Sequence, residues 1–163
     1  MLEAFMKKKT IAIDGPAGAG KSTVAQIVAQ RLNYIYIDTG AMYRGVAWKV
    51  LRDGLTAIDR GAIAEIAQHI KIKLSYIDGK TKVFVDEYDV TDAIRDPEVS
   101  RMVPEVAQFK IVREAMVALQ RQMAEQGGVV MDGRDIGTHV LPNADVKIFL
   151  TALAVIDDLG AII

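Results

Sequence analysis

The stretch GPAGAGKST at residues 15–23 follows directly on the short apolar run KTIAID at residues 9–14. That run is rich in isoleucine and threonine, which predicts a buried strand ending at Gly15. From Lys21 to Leu32, apolar residues recur at the spacing of one helix face, at Val24, Ile27, Val28 and Leu32. The sequence therefore predicts a strand, a glycine-rich loop and a helix in direct succession.

The loop matches the pattern G-x-x-x-x-G-K-[ST] at every fixed position. Glycines let a backbone turn so that successive N–H groups point inward and bind an anion, and the following helix N-terminus favours negative charge. We therefore expect the loop to hold nucleotide phosphates, with Lys21 at the β- and γ-phosphates and the Ser22 hydroxyl on Mg²⁺. The alternative is a glycine-rich turn without a ligand. The predicted nucleotide-binding residues are Gly15, Pro16, Ala17, Gly18, Ala19, Gly20, Lys21, Ser22 and Thr23.

The rest of the chain alternates between strand-like and helix-like patterns. Strands are predicted at residues 34–38 and within 127–135 and 144–150, and helices at 41–54, 61–70 and 104–126. This alternation predicts an α/β fold with a mainly parallel sheet flanked by helices.

One segment departs from this pattern. Lys71 to Val90 alternates apolar and polar residues, and Asp78-Gly79 lies between its two halves. That combination is typical of a β-hairpin. We therefore expect a small antiparallel insert, at about residues 60–100 with its flanks, in an otherwise single domain.

Composition narrows the possible function classes. The chain has 163 residues, a net charge of −1, no cysteine and two histidines, His69 and His139. The balanced charge gives no bulk electrostatic case for nucleic acid or an anionic membrane, and the lack of cysteine excludes disulfides and thiolate metal sites. The first apolar run stops at Asp14 and is too short for a signal peptide, so a cytoplasmic location is the default expectation.

Asp132 ends the predicted strand VVMD. An acid at the carboxyl edge of a parallel sheet can hold the metal of a nucleotide, directly or through water. The alternative is an acid that caps the turn before Gly133. The chain contains no N-K-x-D motif for reading guanine, which argues against a GTPase.

Five segments together resemble bacterial cytidylate kinases: IAIDGPAGAGKST, YIDTGAMYRGVA, VTDAIRDPEVS, VREAMVALQRQMA and VVMDGRDIGTHVLPNADVKIFLTA. The glycine loop alone is widely shared, whereas DTGAMYR with DGRDIGT is much more specific. The resemblance covers roughly Met6 to Ala152. It implies transfer of the γ-phosphate of ATP to CMP or dCMP with Mg²⁺. It also implies a nucleoside-monophosphate-kinase core with a β-rich insert beside the monophosphate site.

The same resemblance implies roles for individual residues on the acceptor side. Thr39 would contact the cytosine edge, Tyr43 would lie beside the monophosphate, and Arg44 and Arg134 would bind its phosphate. Arg113 and Asp135 would read the base, because a guanidinium suits the O2/N3 edge of cytosine and a carboxylate accepts from its N4 amino group. The catalytic residues so implied are Lys21, Arg44 and Arg134; the substrate-binding residues are Thr39, Tyr43, Arg44, Arg113, Gly133, Arg134 and Asp135; the metal ligands are Ser22 and Asp132.

Each acceptor-side residue also has a purely structural alternative. Arg44 would be a solvated helix residue, Tyr43 a packing ring, and Thr39 the cap of a helix that begins at Ala41. Arg113 would pair with a nearby helix acid. Arg134 and Asp135 would form a local ion pair.

Two features depart from the family pattern. Pro104 stands where the family usually offers a serine hydroxyl to the base, and proline has no such donor for that contact. No arginine follows Arg134, whereas the family continues into an arginine-rich lid that neutralises charge on the transferred phosphoryl group. We therefore expect a truncated domain. The alternative function is a nucleotide-binding remnant with impaired catalysis, and a weaker third possibility is a kinase for another small molecule.

The last residues, 153–163, form an atypical tail. KIFLTALAVIDDLGAII resembles a membrane segment of sodium–proton antiporters, in which Asp157 and Asp158 would be the paired aspartates. About 15 apolar residues are short of the roughly 20 that span a bilayer. A junction of two coding sequences and a C-terminal segment that packs on the core both stay open. We expect a monomer that binds ATP and CMP or dCMP, with no nucleic acid, and with no membrane unless the tail inserts.

Overall fold

The computed structural model describes residues 7–77 and 80–151. In chain order the elements are β1 (Thr10–Asp14), α1 (Lys21–Leu32), β2 (Ile35–Asp38), α2 (Thr39–Arg52), α3 (Arg60–His69), β3 (Ile72–Ile77), β4 (Lys80–Val85), β5 (Tyr88–Asp89), α4 (Pro97–Ala107), α5 (Lys110–Ala124), β6 (Val129–Gly133) and β7 (Val146–Phe149). A 3₁₀ turn at Ala93–Arg95 and a short π-helix at Ile136–Val140 complete the described elements. The tail at 153–163 and the predicted turn at Asp78-Gly79 lie outside the described residues.

The main sheet has four strands in the order β2-β6-β1-β7, and all neighbouring pairs are parallel. The α/β class and the parallel sheet predicted from the alternating pattern are therefore confirmed. Asp132 on β6 is in register with Ile13 on β1 and with Asp38 on β2. The carboxyl ends of these three strands consequently meet at one edge of the sheet.

Helices cover both faces of this sheet. Alternate residues of a strand point to opposite faces, so a single strand contributes to the core on each side. Ile11 and Ile13 of β1 belong to a small buried cluster with Ala25 and Ala29 of α1. Ala12, between them, belongs to the larger cluster, which includes buried residues of α2, α3, α4 and α5. The sheet is thus the middle layer of three.

The insert is a separate antiparallel sheet in the order β3-β4-β5. Ile72 pairs with Val85 and Ile77 pairs with Lys80, so β3 and β4 form the predicted hairpin. The insert packs on α2 at Gly45, where an added Cβ would lie 3.0 Å from Val85 Cγ2. A glycine at this position lets helix and sheet approach closely.

The predicted helix over 104–126 is wrong, because two helices, α4 and α5, occupy this region. Phe109 has φ −73° and ψ 123°, an extended conformation that interrupts the helical hydrogen bonds. The first helix also begins earlier, at Pro97, where the Asp96 carboxylate accepts from the Glu98 N–H at 2.7 Å. An acidic cap followed by proline is a typical helix start. Pro104 consequently lies inside α4 rather than at its beginning.

No helix in 7–77 or 80–151 is both long enough and apolar enough to cross a bilayer.

Stability is expected to depend on the central strand. Met131 on β6 is fully buried, at 0% exposure. Met131→Ala leaves a cavity and should lower the free energy of unfolding by about 2–5 kcal/mol, measured by urea denaturation. Ile58, at 87% exposure, is the matched control, and Ile58→Ala should change the value by less than about 0.5 kcal/mol. Equal losses in the two variants would contradict the assigned core.

Candidate active site

The glycine-rich loop connects β1 to α1 at the carboxyl edge of the sheet. Gly20 has φ 83°, a left-handed conformation that favours glycine, and it immediately precedes Lys21 at the start of α1. An added Cβ at Gly15 would collide with the Leu150 carbonyl oxygen, so only glycine fits between β1 and the residue after β7. Lys21 Nζ donates to the Pro16 carbonyl at 2.7 Å. The ammonium group is therefore folded over the loop that is expected to hold phosphates.

Asp132 is the residue on which this site converges, and it is only 4% exposed. Its Oδ2 accepts a hydrogen bond from Ser22 Oγ at 2.9 Å, and its Oδ1 accepts one from the Tyr36 hydroxyl at 2.9 Å. Its main-chain carbonyl accepts from Thr39 Oγ1 at 2.8 Å. One residue of β6 thus contacts the phosphate loop, β2 and the start of α2.

Burial raises the pKa of the Asp132 carboxyl, and the negative charge of Asp38 adds to this effect. Hydrogen bonds from Ser22 and Tyr36 act in the opposite direction. Burial also raises the pKa of Tyr36 well above its ordinary value, so its hydroxyl stays protonated and donates. An ionised Asp132 is therefore held at an electrostatic cost that a bound cation would reduce.

The Ser22 hydroxyl and the Asp132 carboxylate fit Mg²⁺, which prefers oxygen ligands. Among the described residues, no group of three or more histidine, aspartate or glutamate side chains could hold a metal. Mg²⁺ in nucleotide sites typically binds one or two carboxylates and takes further ligands from phosphates and water. The donor set is thus suited to a metal that arrives with a nucleotide.

Thr39 is turned toward the sheet. The residue is only 6% exposed, and an added Cβ at Gly133 would collide with its hydroxyl oxygen. The predicted alternative, that Thr39 caps a helix beginning at Ala41, is wrong. Helix α2 begins at Thr39 itself, and its cap is Asp38, whose Oδ1 accepts from the Ala41 N–H at 2.8 Å.

Arg44 is held by Asp38, the residue that caps α2. One guanidinium nitrogen donates to Asp38 Oδ2 at 3.0 Å, so Arg44 is not a freely solvated helix residue. A guanidinium has five N–H donors, which leaves others for a phosphate.

Arg113 lies in the first turn of α5, just after the break that separates it from α4. One of its nitrogens donates to the Ala107 carbonyl at 3.0 Å and to the Gln108 carbonyl at 2.6 Å. Among the described residues Arg113 forms no ion pair with a helix acid, so that alternative is wrong. Burial raises the pKa of Tyr43, and the positive charge of Arg113 acts against this rise.

The segment after β6 carries Arg134 and Asp135, and both residues are exposed. Asp135 has φ 57°, and its carbonyl accepts from the His139 and Val140 N–H groups at 2.8 and 3.1 Å. Arg134 and Asp135 do not form the predicted alternative ion pair within the described part of the chain.

Side chains of β1 and α5 hydrogen-bond to the backbone that follows Asp135. The Asp14 carboxylate accepts from the Ile136 N–H at 2.6 Å and the Gly137 N–H at 2.8 Å. Arg121 donates to the His139 carbonyl at 2.8 Å and to the Val140 carbonyl at 2.9 Å. Two exposed polar side chains are thus presented from a backbone that neighbouring elements hold in place.

Residues 11–156 match the family model described as cytidylate kinase. The chain belongs to the cytidylate kinase family. It is 56% identical over 149 residues to a cytidylate kinase of Caldicellulosiruptor bescii, 56% over 146 residues to that of Bacillus subtilis, and 57% over 148 residues to that of Desulfitobacterium hafniense. These matches cover 91%, 90% and 90% of this chain and 66%, 65% and 63% of the three relatives.

This cytidylate kinase family member contains four polar residues at the site that sequence reasoning did not single out: Asp14, Tyr36, Asp38 and Arg121. For Asp38 a signal existed, because an aspartate directly before a helical pattern is a typical N-cap. The other three act through contacts between elements distant in sequence, which periodicity does not reveal.

The raised pKa of Asp132 predicts how metal-free stability depends on pH. The folded state holds the Asp132 proton more tightly than the unfolded state, in which the pKa has its ordinary value of 3.8. The wild-type free energy of unfolding therefore decreases as the pH rises from 3.8 through the raised pKa of the folded state. Asp132→Asn removes this loss. In the presence of a chelator, the variant's free energy of unfolding relative to wild type should therefore be larger at about pH 7 than at about pH 4.

The control for this measurement is Glu114→Gln on α5, where the side chain is 64% exposed. It removes the same charge without the burial. The free energies of unfolding are measured by urea titration at both pH values. If the difference between wild type and Asp132→Asn is the same at both, the raised pKa of Asp132 is contradicted.

Proposed function

We propose that this chain transfers the γ-phosphate of ATP to CMP or dCMP, giving ADP and CDP or dCDP. The observation that carries the proposal is the convergence on Asp132. Its carboxylate is bonded to Ser22 of the phosphate loop, and its carbonyl is bonded to Thr39 of the DTGAMYR segment. Donor-side and acceptor-side segments therefore meet at one residue. The relatives of the same family are named cytidylate kinases, and this chain spans 63–66% of the length of the three compared above.

On the donor side, the loop at Gly15–Gly20 would bind the ATP phosphates through backbone N–H groups. Lys21 would reach the β- and γ-phosphates by exchanging its bond to the Pro16 carbonyl for phosphate oxygens. Ser22 and Asp132 would hold Mg²⁺, which when bound neutralises charge on the phosphates. Ser22 can donate its proton to Asp132 while an oxygen lone pair faces the metal.

On the acceptor side, Arg44 and Arg134 would bind the phosphate of CMP, and Tyr43 would lie beside it. Arg113 and Asp135 would read the cytosine edge. The position of Arg113 supports this role, because its bonds to the Ala107 and Gln108 carbonyls use one nitrogen and hold the guanidinium in place. The insert formed by β3, β4 and β5 would flank the monophosphate.

The reaction we propose is one in-line displacement. An oxygen of the CMP phosphate forms a bond to the γ-phosphorus of ATP, and the bond from that phosphorus to the β–γ bridging oxygen breaks, so ADP leaves. No covalent enzyme intermediate is required. Positioning and charge neutralisation supply most of the catalysis in this class of reaction.

The test of the proposal is ADP release by this chain with ATP and Mg²⁺, with CMP, dCMP, UMP and AMP offered separately. We expect turnover with CMP and dCMP and little with AMP. Lys21→Met removes a positive charge from the phosphate loop and should lower kcat by about 10²–10³. Lys110→Met, at a lysine whose side chain is 81% exposed on α5, should retain wild-type rates.

Two results would count against the proposal. If folded wild-type protein binds MgATP but releases no ADP with any acceptor, the alternative of a nucleotide-binding protein with impaired catalysis replaces it. If Lys21→Met is as active as Lys110→Met, the phosphate loop is not the donor site.

Base selectivity offers a second test. Asp135→Asn replaces an acceptor with an amide that can donate to O4 of uracil, so the ratio of kcat/KM for CMP over UMP should fall by about 10²-fold or more. Asp92→Asn, at an exposed aspartate outside the proposed site, should leave the ratio unchanged. An unchanged ratio in Asp135→Asn would favour the third possibility, a kinase that reads a different acceptor.

A further inference from the structure

Tyr36 is a buried tyrosine whose hydroxyl reaches the candidate metal site. It lies on β2 with 5% exposure, in the same buried cluster as Ala25, Ala29 and Val130. In the parallel register Tyr36 is opposite Val130, so Asp132 is its diagonal neighbour on the same face of β6. The phenol crosses to β6 and donates to Asp132 Oδ1 at 2.9 Å.

The two oxygens of Asp132 have partners of different character. Oδ2 accepts from Ser22, which is exposed at the start of α1, whereas Oδ1 accepts from Tyr36, whose ring is fixed in the core. The terminal torsion of an aspartate has a broad distribution, so a single hydrogen bond to Ser22 would leave the carboxylate free to turn. The bond from Tyr36 removes that freedom.

We propose that Tyr36 is a positioning residue for the metal, an inference that rests on the proposed function. By holding Oδ1 on the core side of the carboxylate, it turns Oδ2 toward Ser22 and the phosphate loop. A carboxylate restricted to one oxygen suits Mg²⁺, which demands near-octahedral geometry, better than Ca²⁺, which readily accepts both oxygens of a carboxylate. Tyr36 thereby favours Mg²⁺ over Ca²⁺ and orients the carboxylate before the nucleotide binds.

Tyr36→Phe tests this inference, because it removes the hydroxyl and keeps the ring in the core. Tyr34→Phe is the matched control. Tyr34 directly precedes β2, at the end of that strand away from the site, and its hydroxyl accepts from the Lys9 N–H at 2.9 Å. Both variants lose one phenolic oxygen and one hydrogen bond, but only one of these bonds involves Asp132.

The measurement is the concentration of Mg²⁺ or Ca²⁺ that gives half-maximal thermal stabilisation of each protein at a fixed ATP concentration. Loss of an outer-shell partner typically weakens metal binding by about 10–100-fold. We therefore expect Tyr36→Phe to raise the half-maximal Mg²⁺ concentration by about tenfold or more, with a smaller change for Ca²⁺. The KM for CMP should not change. Tyr34→Phe should match wild type for both metals.

Equal metal dependence in Tyr36→Phe and Tyr34→Phe would overturn the inference while leaving the proposed function in place. A shift of the same size for Mg²⁺ and Ca²⁺ would overturn the selectivity. Wild-type protein that is not stabilised by MgATP at all would overturn both the proposed function and the inference. Tyr36→Met, which also lacks the hydroxyl, must reproduce the Mg²⁺ shift if Tyr36→Phe does not fold.

Discussion

The hydrogen bond from Ser22 to Asp132 is the interaction around which the site is built. It joins the first turn of α1 to the end of a central strand and fixes where the glycine loop lies relative to the sheet. The Asp132 carboxylate is buried near Asp38, an arrangement that is unfavourable without a cation and costs folding free energy at neutral pH. A metal bound with a nucleotide would reduce that cost. Relief of the electrostatic repulsion at Asp132 would therefore add to the free energy of metal binding.

The parallel register explains why residues distant in sequence meet at this point. Asp132 lies level with Asp38 on one side and Ile13 on the other, so the segments after all three strands leave the sheet at the same edge. Those segments are the glycine loop, the start of α2 and the loop with Arg134. Ligands of open parallel sheets bind at this edge for the same reason. The family resemblance and the sheet topology therefore point independently to one site.

Periodicity predicted most elements of the fold, and the bounds of α1, Lys21 to Leu32, agree with the structure. It failed at Phe109, because the apolar spacing continues across a residue whose backbone is extended. It also missed Tyr36 as a site residue, since a tyrosine in an apolar strand is equally typical of the core. Its contact with Asp132 depends on strand register, which no local pattern contains. Local sequence patterns therefore predict helices, strands and candidate residues. Which of these residues contact one another depends on how the strands align in the sheet.

Two of the three arginines proposed to bind the acceptor, Arg44 and Arg113, are held by contacts within the protein itself. Arg44 is fixed by Asp38, and Arg113 is fixed by two carbonyls at the break between α4 and α5. Fixing a long side chain in advance lowers the conformational entropy that binding must remove. Under the proposed function a phosphate would share Arg44 with Asp38, and the planar fork of a guanidinium has donors enough for both. Asp38, through its hydrogen bond to Arg44, thus sets the orientation in which this guanidinium would receive a phosphate under the proposed function.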